Sequence, residues 1–320
     1  MLLLAAATLG CGGGAALGPE PIAPSGPTLP ALELLVPDGA GAVLVGRPAV
    51  LWAALPVRRV IESLFSAERI DAFARRTGVE PHEVSDAVIA DYEDGFVLIA
   101  RGPWPAADVV RAAGMRMTGV HVSADRPQVR RSGYLGTDLY DMVALAEDVV
   151  LVSRGVPAVT AAVIARVRSG NWPEGRSSSL AAPELRALVE TAHRAPLVLY
   201  VPRPLSLPPG FATSVLLARQ RVLAAMVVPE GEEELDVSVA LRGEFPDGAE
   251  RNFRALVESV AESALGGALG IREGLQTLSV QAEADSVTLR MRLRVGTLVA
   301  GLRLLFTAEL EELLAPPEER

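Results

Sequence analysis

The sequence contains no lysine; all 30 of its Lys-plus-Arg residues are arginine. That removes Schiff-base chemistry and the lysine of a phosphate-binding P-loop. It has one cysteine, Cys11. An internal disulfide and a cysteine-based zinc site are therefore excluded. The histidines are His82, His121 and His193. They are far apart, and none stands in a metal-binding spacing such as His-Glu-x-x-His. Gly-x-Ser-x-Gly, Walker and dinucleotide-binding signatures are missing as well. The glycines of "LGGALG" (265–270) follow an expected helix and do not open one after a strand.

Positive charge is in deficit. The net charge is −9, which argues against nucleic-acid binding, because that needs a basic face to neutralise phosphates. No apolar run reaches the ~20 residues of a membrane-spanning helix. Half of the chain is nevertheless apolar, with charges spread throughout, as expected of a folded body.

What is present begins at the N-terminus. Leu2 to Leu9 form a short apolar stretch, followed by Gly10 and Cys11. Gly12, Gly13, Gly14 and a proline-rich stretch come next. This order resembles a bacterial lipoprotein signal. The resemblance implies cleavage before Cys11 and a lipid on its thiol, so the cysteine is expected to be an anchor and not a catalyst. Residues 1–10 are then a signal peptide and 11–37 a lipidated tether. Gly12 supplies no inner-membrane retention cue of the Asp type. A host with two membranes would place the protein in the outer membrane, facing the periplasm.

Beyond the tether the chain resembles itself. "AVLVGRPAVLW" (42–52) is similar to "LVLYVPRPLSL" (197–207). "IARGPWPAADVVRAA" (99–113) is similar to "ALRGEFPDGAERNFRAL" (240–256). Arg101, Gly102, Trp104 and Pro105 match Arg242, Gly243, Phe245 and Pro246. These parallels predict two α+β repeats, at 38–175 and 176–315. Each reads strand, helix, hairpin, helix, hairpin, helix, with antiparallel sheet and helices on one face. The segment 66–81, with Ser66 as N-cap and Gly78 as stop, predicts a helix extra to the first repeat.

Two hairpins are expected to turn at "DYEDG" (91–95) and "PEGEEE" (229–234), with helices near 105–114 and 248–265. "AEDV" (146–149) predicts a tight acidic turn, followed by a helix after Pro157. The last hairpin is read with a turn at Asp285-Ser286. That sets Ala284 against Val287, Ala282 against Leu289 and Val280 against Met291 on an apolar face. Its other face carries Arg290, Arg292 and Arg294 opposite residues such as Gln281 and Glu283. A final helix is expected over 296–314. The segments "RTGVEPHEVSDAVIA", "RGPWPAADVVRAAG" and 133–170 together resemble bacterial envelope proteins grouped under a domain of unknown function, DUF3352. That family implies no known activity.

No cofactor is expected. Asp91, Glu93 and Asp94, and their counterparts Glu232, Glu233 and Glu234, read as solvated turns more simply than as a metal site. Trp104 and Phe245 read as core anchors of their strand–helix junctions. Arg290, Arg292 and Arg294 are the candidate ligand or partner face. The sequence thus predicts a non-enzymatic, lipid-anchored envelope protein, bound to membrane through its lipid and to an envelope protein partner. The alternative is a carrier or chaperone for an apolar ligand such as lipid or lipoprotein. In that reading the apolar segments 211–228 and 298–314, taken as helices, would close a cavity.

Overall fold

The computed structural model describes residues 29–123, 129–170, 178–180, 182–192, 195–204, 219–263, 266–267, 269–300 and 302. The fold is α+β. The strands are β1 (Ala42–Gly46), β2 (Asp86–Tyr92), β3 (Gly95–Arg101), β4 (Thr118–Ser123), β5 (Arg130–Leu135), β6 (Asp138–Ala144), β7 (Val149–Arg154), β8 (Leu197–Val201), β9 (Gln220–Glu230), β10 (Glu234–Gly243), β11 (Ser279–Ala282) and β12 (Ser286–Arg294). The helices are α1 (Pro48–Ala53), α2 (Leu55–Leu64), α3 (Ala67–Thr77), α4 (Ala106–Gly114), α5 (Pro157–Ser169), α6 (Pro183–Ala192), α7 (Ala249–Glu262) and α8 (Ile271–Gly274). Among the described residues, those up to Ala49 form one compact unit with those of Ala67–Ala182; Val50–Ser66 belong with the second unit, which takes the described residues from Pro183 onward.

The first unit orders its strands β1-β2-β3-β7-β6-β5-β4, and every pair is antiparallel. Its helices cover both faces, not the single face expected. The apolar run Val149–Val150–Leu151 of β7 is buried without alternation, as a strand covered on two sides must be. Val150 joins Trp104, Ala106, Val109 and Val110 beneath α4. Ser153, on the opposite face, hydrogen-bonds Thr160 of α5 at 2.6 Å. The second half of this unit is a four-stranded meander where one hairpin was expected. The Gly136-Thr137 turn between Leu135 and Asp138 adds the extra reversal.

The expected tether also ends earlier than Pro37. Leu29, Leu32, Leu35 and Val36 are buried in the first unit, with a 3-10 turn over Leu32–Leu35. Four apolar side chains in eight residues outweigh the prolines around them. Polar contacts fix the same segment. Pro37 O accepts from Tyr92 Oη at 2.9 Å and from Ser179 Oγ at 2.7 Å. Ser179 Oγ in turn accepts from the Ala40 N–H at 3.0 Å. Arg166 donates to Leu35 O at 3.3 Å, and Arg101 to Pro30 O at 3.2 Å. Burial pushes the Tyr92 hydroxyl well above the usual phenol range, against the pull of Arg166 and with a smaller push from Asp38. Tyr92 therefore stays neutral and able to donate.

The second unit orders its strands β8-β9-β10-β12-β11, again antiparallel throughout. One face is apolar from side to side. A row across it reads Leu199, Ala225, Val239, Leu289, Val280. Phe245, Phe253, Leu278 and Val287 pack on this face toward β12, and the rings of Phe245 and Phe253 meet edge to face at 5.7 Å.

The last hairpin turns at Ala284-Asp285, one residue before the expected position. Ala282 lies opposite Val287 and Val280 opposite Leu289. The shift moves the pairing by two residues, so the apolar face is unchanged. Two bonds hold the turn there. Phe245 N–H donates to Ala284 O at 2.9 Å and Gly243 N–H to Asp285 O at 3.1 Å. The Arg101-Gly102 junction of the first unit is also bonded to a turn, but its second donor is Ala106 and not Trp104, the residue aligned with Phe245. Gly102 N–H donates to Asp148 O at 3.1 Å, and Ala106 N–H to Glu147 O at 2.8 Å. Arg101 lies 3.5 Å from the Asp148 carboxylate and Arg242 lies 3.1 Å from that of Asp285. A side chain at position 102 would collide with the Trp104 ring, and one at 243 with Arg219 O; each junction needs its glycine.

Candidate functional site

The face opposite the apolar one in the second unit changes character across the sheet. At β8 and β9, Val198, Tyr200, Val222 and Ala224 are buried. At β12, Arg290, Arg292 and Arg294 are exposed, as are Ser279 and Gln281 of β11. The alternation of β12 places all three arginines on this face, while Val287 and Leu289 turn to the core.

Register brings carboxylates among them. Arg294 is opposite Glu234, Arg292 opposite Asp236, and Arg290 opposite Ser238. Glu230 is next to Glu234 on β9. Arg292 is bonded to Glu230 through two nitrogens, at 3.1 and 3.2 Å, and lies 3.8 Å from Glu234. The partners expected from β11, Gln281 and Glu283, do not serve. β11 has only four residues and stops at Ser279, so among the described residues the far end of β12 has no strand on that side. Thr277 Oγ1 takes up the freed Arg292 N–H at 2.9 Å. Arg290 and Arg294 make no ion pair among the described residues. The stripe is thus a mixed-charge surface with two guanidinium groups that no carboxylate pairs among the described residues, and the fork-shaped donors of those groups suit carboxylates. The acidic half of this surface could not be read from β12 alone; it emerges once β10 and β9 are placed beside it.

Cys11 and His193 lie outside the described residues. So do residues 205–218 and 303–320, which hold most of the two segments expected to close a cavity. Residues 220–228 of the first of them form part of β9 and not a helix; Val222, Val227 and Val228 suit a pleated strand better. Residues 295–300 are helical, continuing directly from β12. His82 sits in the 3-10 turn Pro81–Glu83, 3.8 Å from Glu80. His121 is exposed on β4. Glu93 and Asp94 form the exposed two-residue turn between Tyr92 and Gly95. Glu232 and Glu233 turn beside Arg59 of α2: Arg59 Nη1 lies 3.4 Å from Glu232 O and 3.7 Å from Glu233 Oε1. Among the described residues, no group of three His, Cys, Asp or Glu side chains is placed to hold a metal ion. Trp104 and Phe245 are buried in the clusters beneath α4 and α7.

A shallow cleft of about 420 Å³ opens at the rim of the first unit. Asp94, Tyr134, Asp138, Leu139 and Arg154 line it. Arg154 pairs with Asp138 at 3.1 Å and lies over the Phe96 ring at 5.4 Å, so its cation is already engaged.

No protein-family model matches the sequence, and no curated protein matches it. Matching solved structures include crystal forms III and IV of TP0453. Each is 12% identical to this chain, with a TM-score of 0.53. Each alignment covers 86% of this chain, and 98% and 97% of the respective structures. At that identity the likeness is one of fold, and it places the chain among proteins with the α+β architecture of TP0453.

Proposed function

We propose that this chain is a non-catalytic binding module of the bacterial cell envelope, anchored to a membrane by lipid on Cys11. In a host with two membranes it sits in the outer membrane and faces the periplasm. The observation that carries the reading is the seating of residues 29–40 on the first unit. The chain emerging from the anchor is held by Leu32, Leu35, Val36 and the paired donors on Pro37. Only residues 12–28 then separate Cys11 from the body. Those seventeen residues reach at most about 60 Å when fully extended, at roughly 3.3–3.6 Å each. A body held so close to a bilayer is suited to engage other envelope proteins. Its exposed Arg290 and Arg294 offer two guanidinium groups to an acidic protein surface.

The test is the native mass of the full chain extracted in mild detergent, alone and as the Arg290→Glu, Arg294→Glu variant. A protein complex present in the parent and weakened at least about tenfold in the variant supports the reading. A complex indifferent to both substitutions removes these arginines from the partner face.

The second reading is the carrier. It draws on the half-buried apolar residues that remain on the strands of the second unit, Leu197, Leu199, Ala225, Val227, Val237 and Val239. Extracted protein holding lipid beyond its own acyl groups, and no protein partner, would favour it.

A further inference from the structure

β4 ends the strand order of the first unit, and one of its edges has no partner strand among the described residues. Thr118, Gly119, Val120, His121 and Val122 are all exposed. An edge strand ordinarily carries a charge, a proline or a bulge that blocks addition of a further strand. β4, "TGVHVS", has neither charge nor proline. Its irregularity lies between Thr118 and His121, leaving His121, Val122 and Ser123 in regular pairing with Ser132, Arg131 and Arg130. β11 ends the order in the second unit, and it differs: it has four residues and runs into Glu283.

Two of the exposed side chains of β4 are apolar. Val120 is 38% exposed and Val122 53%. Both lie on the sheet face of Gly133 and Arg131: Val120 stands over Gly133, and Val122 is opposite Arg131. Met115, just before the strand, is 82% exposed.

The edge is also its own complement. In an antiparallel pairing centred on His121, each Val120 faces a Val122 and each His121 faces its counterpart. Two identical valine pairs then close on one face, and no aspartate, glutamate or arginine of one β4 opposes another. We infer that β4 pairs antiparallel with the β4 of a second copy of this chain, about a two-fold axis at His121. Such an interface is isologous and therefore closed, so it yields dimers and not fibres. It satisfies the outward N–H and C=O groups of both edges. The Val-His-Val symmetry favours a second copy over an unrelated extended peptide, which would gain nothing from it. One strand pair is a small interface, so dissociation constants on the order of 10–100 µM are expected.

The pairing fixes distances that a disulfide can read. Across the axis the two residue-121 Cα atoms lie about 4.5–5.5 Å apart, inside the range a disulfide accepts. The two residue-122 Cα atoms lie about 8 Å apart, outside it. The experiment uses the full chain in a Cys11→Ala background, where the engineered thiol is the only one. The expected result is a covalent dimer for His121→Cys under mild oxidation, and at least about fivefold less for Val122→Cys. Sedimentation of the unmodified chain should show a concentration-dependent dimer. Val120→Glu with Val122→Glu sets glutamates opposite each other across the axis and should weaken that dimer at least about tenfold. Within the monomer the carboxylate introduced at position 122 would face Arg131, which protects the variant's fold.

A chain that stays monomeric at about 1 mM overturns the inference. So does a dimer insensitive to both glutamates, or equal cross-linking at 121 and 122. A His121→Cys adduct with a different protein, in place of a doubled chain, overturns it too.

Discussion

Replacing Leu35 with alanine tests whether the segment behind the anchor is part of the folded body. Leu35 is fully buried, with Leu32 and Val36 at 1% exposure beside it. Truncating a buried leucine removes its burial free energy and leaves a cavity, together about 2–5 kcal/mol. The backbone here is fixed by Arg166, Tyr92 and Ser179. It has little freedom to collapse into the void, so a loss of about 3 kcal/mol is expected. Urea unfolding of the full chain, read by far-ultraviolet circular dichroism, supplies the number. Two units need not unfold together, so limited proteolysis of residues 29–37 supplies a local readout. In the parent that segment should resist cleavage; in Leu35→Ala it should be cut at least about tenfold faster. A loss below about 1 kcal/mol, with the parent segment already cleaved freely, would refute the seating of this segment.

Two further substitutions probe the first unit. Tyr92→Phe removes one of two donors to Pro37 and should lose about 0.5–1.5 kcal/mol at neutral pH. The raised Tyr92 pKa favours the neutral form in the folded state. Its stabilisation is complete below about pH 10 and is lost as pH rises beyond that, toward the folded-state value. The parent should therefore weaken steeply at alkaline pH and Tyr92→Phe less so, as pH-dependent melting would show. Asp141 is buried and accepts from Arg130 at 3.0 Å and from Ser132. Asp141→Ala strands both donors, but Arg130 is 30% exposed and can turn to water. A loss of about 1–3 kcal/mol is expected in urea unfolding.

Strand alternation and turn chemistry carried most of the fold in the sequence. The hairpins at Glu93-Asp94 and at 231–233, the α3 stop at Gly78 and the arginine–glycine junctions all follow from local residues. β5 did not announce itself. "RRSGYL" has no alternation and a central glycine, and its place is set by β6 and β4 on either side. The seat of residues 29–37 was masked by prolines, although Leu29, Leu32, Leu35 and Val36 already had one face to bury. The apolar run of β7 carried the signal for helices on both faces. At the candidate site, the arginine stripe was legible because period-2 spacing fixes a face. Its carboxylates were not, because Glu230, Glu234 and Asp236 reach it through strand pairings between segments far apart in sequence. Val120-His121-Val122 carried no signal of its own in the sequence; it gains meaning only once β4 lies at an edge.

The mass of the mature N-terminal peptide, taken from protein in its native membrane, tests the anchor most directly. A peptide that begins at Cys11 and carries a diacylglyceryl group is the predicted result. An unmodified Cys11 within an uncleaved chain would contradict the anchor, and with it the placement of the body at a membrane.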